Sequence, residues 1–179
     1  MFSWVRGRMV RGGSVRRRRE RGAVLVEFAM VMPLLLGLTL GMVSFGTWYN
    51  NKLNLSTAAR EGARYGATLP VANYANTNAW LDAVGGAAVG AAGSQLTPSV
   101  ASRYICAALV DSSGTITRRV DSGGSVVYST GSLCYADSLG TQSRVQVVVQ
   151  RSGTINVVLF SSGVTTTGRA VARYEASTS

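Results

Sequence analysis

Three hydrophobic patterns follow one another along the chain, and each predicts a different element. From Phe28 to Tyr49 no residue carries a charge. That run of 22 residues is close to the ~20 that a helix needs to cross a bilayer. After Tyr49 the apolar positions thin out but keep a three/four spacing, through Leu55, Ala58, Ala59, Gly62, Ala63 and Gly66. Asn54, Thr57, Arg60, Glu61 and Arg64 fall between them, so the spacing predicts a helix with one face of small residues and one solvated face. An unbroken helix from Ala23 to Ala67 would be about 65–70 Å long at ~1.5 Å per residue. Leu69-Pro70 ends it.

Asn73 to Asn78 reads as a polar loop. Trp80 to Ser94 then predicts a second helix, capped near Asn78, with Trp80, Leu81, Val84 and Ala88 on its buried side. Its glycines make it weak by propensity, so it needs tertiary packing. From about Val100 the period falls to two. ASRYICAALV and TITRRV predict a hairpin across the turn Asp111 to Gly114, and VVYST a further short strand. Thr130 to Gly140 is loop-like. In Arg144 to Gln150, Val145, Val147 and Val149 share one face, and Gln146, Val148 and Gln150 the other. Ser152-Gly153 is a turn signal before TINVVLF, and Val164 to Tyr174 closes the chain as a strand. The expected class is α+β: a long N-terminal transmembrane and stem helix packed on a small antiparallel sheet of four to six strands. The expected segments are a basic leader (1–22), an anchor (23–49), a stem (50–68) and an α+β head (69–179).

Charge changes the picture only at the front. Eight arginines and one acid in the first 22 residues account for +7 of the net +10. The leader lacks a hydrophobic face and is expected to be disordered alone. An arginine cluster can neutralise phosphates. Directly before an apolar run, it more simply holds that end in the cytoplasm and fixes the orientation of the helix. The head would then be exported, and nucleic acid is not an expected partner. The apolar run is too long for a cleaved secretory signal and ends without a small-residue cleavage site.

Candidate chemistry is sparse. The chain has no histidine, which removes histidine triads and histidine metal ligands. The acids beyond the anchor are scattered, and no phosphate-cradling loop is present; neither an enzyme nor a cofactor is expected. Cys106 and Cys134 are the two cysteines, in the part assigned outside the cytoplasm. They are a possible disulfide, with two buried thiols as the alternative. Gly37 and Gly41 put two small residues on one face of the anchor, where another helix can approach closely. Glu27 is a carboxylate in the first turns of an apolar helix, costly enough in lipid to be kept for a reason unless it reaches water at the interface. Trp48 and Tyr49 close the run where an aromatic belt is expected.

Arg21-Gly22-Ala23-Val24-Leu25-Val26-Glu27-Phe28 resembles the processing site of type IV prepilins: a basic leader ending in glycine, then a glutamate five residues on, then an aromatic residue. The continuation through AAREGARYGA (Ala58 to Ala67) resembles the TadE-like family of minor pseudopilins of tight-adherence (Flp) pili, and TTTGRAVARYEA (Thr165 to Ala176) resembles its last strand more weakly. The resemblance implies cleavage between Gly22 and Ala23 by a prepilin peptidase. It gives Glu27 and Phe28 an assembly role, with the freed amino group of a neighbouring subunit facing Glu27. It also implies other pilin subunits, an inner-membrane secretion platform and the lipid bilayer as partners. Many relatives carry Tyr where this chain has Phe28, and the leader here is long. The competing reading is a single-pass tether carrying an exported ligand-binding or cell-wall-binding domain.

Overall fold

The apolar run and the small-residue face after it form one helix. A computed structural model describes residues 14–97, 100, 102–140, 142–157 and 160–175. Helix α1 spans Ser14–Thr68 and keeps Pro33 within it. The helix thus begins at Ser14, inside the leader expected to be disordered alone, rather than at Ala23; the leader before Ser14 lies outside the described residues. Arginine has good helix propensity, and a helix already formed downstream removes the cost of nucleation.

The chain divides into two compact units, Met1–Val43 and Ser44–Ser179. In the second, α1 is followed by α2 (Thr77–Ala92) and five strands: β1 (Arg103–Val110), β2 (Ile116–Ser122), β3 (Ser125–Thr130), β4 (Arg144–Val157) and β5 (Phe160–Arg173). The strands form one sheet in the order β3-β2-β1-β4-β5, antiparallel throughout. The arrangement is α+β, as the patterns predict.

Two details differ from the expectation. The cap of α2 is Asn76 rather than Asn78: its side chain accepts a hydrogen bond from the Ala79 N–H at 2.9 Å, placing the helix start at Thr77. Ser152-Gly153 is not a turn, because β4 runs straight through it to Val157 with Gly153 opposite Val164. Local turn chemistry is outweighed there by a fourteen-rung ladder with β5.

The core lies between the helices and one face of the sheet. Leu55, Ala58, Ala59 and Ala63 of α1 and Trp80, Leu81, Val84 and Ala88 of α2 meet Ile105, Ala107 and Leu109 of β1 and Val145, Val147 and Val149 of β4. Small residues let the backbones close in. A Cβ at Gly62 would lie 2.9 Å from Ala88 Cβ, and one at Gly66 would lie 2.9 Å from Val84 Cγ2 and 3.0 Å from Val145 Cγ1. The tightest point is Gly168 of β5, where a Cβ would meet the Leu55 carbonyl oxygen at 2.2 Å. The end of α1 is fastened as well. The Trp80 indole N–H donates to the Leu69 carbonyl at 2.9 Å, and the Val71 N–H donates to the Tyr174 hydroxyl at 3.0 Å. The Tyr174 ring meets Trp80 edge-on at 5.9 Å.

Gly168→Ala therefore drives a methyl into a helix backbone that has no rotamer to yield. It is expected to destabilise the head by about 2–3 kcal/mol or more. Gly86, inside α2 with open space where its Cβ would be, is the contrasting site; Gly86→Ala is expected to stabilise by up to about 1 kcal/mol. Thermal melts of the detergent-solubilised full chain check both. Equal melting temperatures for Gly168→Ala and the parent would refute the close approach.

Candidate membrane anchor and disulfide-clipped head

Within α1 the segment from Gly22 is the one described helix long and apolar enough to cross a membrane, with a mean hydropathy of 2.2 over its best window. From Gly22 to Leu40 every residue is exposed. Ala23, Glu27, Phe28 and Gly37 are therefore all on open surface, and Gly41 is half-buried; nothing lies within 4 Å of where a Cβ would stand on Gly22, Gly37 or Gly41. A surface carrying Leu34, Leu35, Leu36 and Leu38 half or more exposed is a surface for lipid or for other helices, not for water. Phe45, Trp48 and Tyr49 cluster at the other end of the run, with ring centroids 5.7 Å and 6.3 Å from Phe45. The Lys52 ammonium sits 5.6 Å over the Trp48 ring. Arg60, Glu61 and Arg64 stay on the exposed face of the stem. Gly62 and Gly66 lie on its buried face.

The opposite face of the sheet is built differently. β3 is an edge strand and β4 lies on the far side of β1, so the connection 131–143 has to cross β2 and β1. A loop laid over a sheet carries backbone groups that need partners. Cys134 is bridged to Cys106 of β1, with Cα atoms 5.7 Å apart. Gln146, fully buried in β4, accepts from the Cys134 N–H at 3.1 Å and donates to the Tyr135 carbonyl at 3.1 Å and to Asp137. Arg144 holds Asp137 through Nε at 2.8 Å and Nη2 at 2.9 Å, and its Nη1 donates to the carbonyls of Gly140 and Gln142. The loop is wound around one guanidinium and clipped by one crosslink.

Burial by itself pushes the Asp137 carboxyl up. The Gln146 amide, the Leu139 N–H and the Arg144 guanidinium outweigh it and hold the group below the ordinary carboxylate range. A second ionic group lies on the helix face. Asp121 pairs with Arg103 at 2.8 Å and Arg119 pairs with Asp82 of α2 at 2.6 Å. The Tyr128 hydroxyl also donates to Asp82, which raises its pKa. Sequence reading did not find Asp137, Arg144 and Gln146 as a unit. Its one available signal was Gln146, a polar residue inside a valine-rich strand.

Asp137 carries the pH dependence of this face. Its folded pKa is depressed, so its contribution is complete above the unfolded value of about 3.9 and is lost as pH falls through the folded value. Melting temperature is expected to drop below about pH 4, and Asp137→Asn to flatten that acid limb while lowering stability at neutral pH. Removing the crosslink as Cys106→Ala with Cys134→Ala is expected to cost about 3–4 kcal/mol for a loop of this length. Melts from pH 7 to 2.5, with and without reductant, check both.

No curated protein matches the chain, and no solved structure does. A family model does match, that of the TadE-like proteins, over residues 22–64, the segment from the glycine heading the anchor to Arg64 of the stem.

Proposed function

We propose that the protein is a membrane-anchored minor pseudopilin of a tight-adherence pilus, processed by a prepilin peptidase between Gly22 and Ala23. The observation that carries the reading is that the family match begins at Gly22, the residue that ends the basic leader. Cleavage there exposes an amino group at Ala23 and leaves Glu27 as the fifth residue of the mature chain. Glu27 is exposed, and no further charge follows it along the helix until Lys52. In lipid, a lone carboxylate gains most from an opposite charge, and the new amino group of a neighbouring subunit supplies one. Gly37 and Gly41 leave room for that neighbour's helix.

The arginines before the anchor favour a cytoplasmic N-terminus. The head would then fold outside the cytoplasm, where a disulfide persists; the Cys106–Cys134 bridge supports this side. Other pilin subunits and an inner-membrane secretion platform follow as partners.

Mass spectrometry of the membrane-purified protein is expected to give an N-terminus at Ala23 in cells that hold the peptidase. An intact Met1 there removes the processing step. Glu27→Ala is expected to leave insertion unchanged and to abolish or sharply reduce incorporation into pili. Unchanged piliation with that variant would favour a simple tether.

A further inference from the structure

The β4–β5 hairpin outgrows its sheet. β1 pairs with β4 only over Arg144–Arg151. The ladder between β4 and β5 continues from Ser152↔Thr165 to Val157↔Phe160, an extension of about 20 Å at ~3.3 Å per residue. Its base is fixed where the Ser102 hydroxyl donates to the Ser152 carbonyl at 2.9 Å.

The extension runs beside α1 and towards the N-terminal end of that helix. Gly66 packs at Val145, Gly62 at Val147 and Leu55 at Gly168. Further along, a cleft of about 460 Å³ is walled by Ser44, Thr47 and Trp48 of the helix and by Thr154, Ile155 and Val164 of the hairpin. The indole N–H of Trp48 is buried without a partner.

Charge stops at the same level on both elements. No charged residue lies between Glu27 and Lys52, nor between Arg151 and Arg169. Arg151 and Asn51, the neighbour of Lys52, line the same cleft. Lys52, whose ammonium lies over Trp48, and Arg151, which donates to Gln95, are thus the last charges before an uncharged stretch on the helix and on the hairpin.

We propose that the β4–β5 extension is a second membrane contact, seated in the interfacial layer of the leaflet from which α1 emerges, with Lys52 and Arg151 at the level of the lipid phosphates. This rests on the reading of α1 as the anchor. Charge sets the position: cations favour anionic headgroups, and the uncharged segment favours the layer beneath them. Depth is limited by the backbone. Both outer edges of a two-stranded extension carry unpaired N–H and C=O groups, which headgroups and their water satisfy and acyl chains do not. Trp48 sits where aromatic side chains favour the interface.

The test uses the full chain in vesicles of phosphatidylcholine with phosphatidylglycerol. An environment-sensitive fluorophore is placed at Ser161→Cys on the extension, at Ser112→Cys at the opposite end of the sheet, or at Met42→Cys on the anchor; all three positions are exposed. Headgroup-proximal nitroxide lipid is expected to quench the Ser161 and Met42 probes and not the Ser112 probe. Iodide quenching at Ser161 is expected to be about threefold weaker than at Ser112. Equal iodide quenching at Ser161 and Ser112, with Met42 still quenched by lipid, overturns the hairpin contact and leaves the anchor standing. Loss of lipid quenching at Met42 overturns both. Protection at Ser161 from iodide and lipid quencher alike, lost on dilution to one chain per vesicle, assigns the surface to a second copy and also overturns the proposal.

Discussion

The head depends on how closely one helix can lie on one sheet. At Gly168 the separation leaves no room for a single carbon against the Leu55 carbonyl. Alanine and glycine at positions 58, 59, 62, 63 and 66 extend the same tolerance along the stem. Larger side chains would gain more buried area per residue but would hold the helix several ångströms further off. Here dispersion between closely packed backbones and valines replaces bulky interdigitation. The helix then ends under Trp80 and Tyr174, which convert a small-residue groove into a closed core.

The two faces of the sheet solve different problems. The helix face is buried by amphipathic elements that satisfy their own backbones. The loop face is covered by a segment with no regular structure, and each of its inward carbonyls has to be matched individually. Gln146 and Arg144 do this from neighbouring positions on β4, and the disulfide fixes the loop where it crosses β1. Gln146 is fully buried without an unpaired amide because both of its ends are used. Replacing it with an apolar residue would leave the Cys134 N–H and the Tyr135 carbonyl without partners, which costs more than the side chain itself.

Periodicity made the helices and most strands legible. Trp80, Leu81, Val84 and Ala88 are spaced as one helix face, and all four are fully buried. The alternation of Val145, Val147 and Val149 gave the core face of β4. The hairpin extension was not legible, because Ser152-Gly153 carries turn chemistry and only the pairing with β5 shows that the strand continues. Asp137, Arg144 and Gln146 were hidden for another reason: the loop between the first and the others has no period, and long-range closure decides which side chains meet. On the anchor the reverse holds. Gly22, Ala23, Glu27 and Phe28 stand out in the sequence, while the fold leaves all four on open surface.

This division of labour separates what the cell's surroundings reach. The contact of α1 with β4 and β5 is made by Leu, Ala, Gly and Val, none of which titrates or oxidises. The loop face depends on a carboxylate, a guanidinium and a disulfide, so acid and reductant act there first. A chain that lost the loop's order would still keep its stem on its sheet, because hydrophobic burial on the helix face does not pass through the loop. The contact of the stem with the sheet thus contains no group that acid or reductant changes, and the crossing loop is the part of the head whose order responds to both.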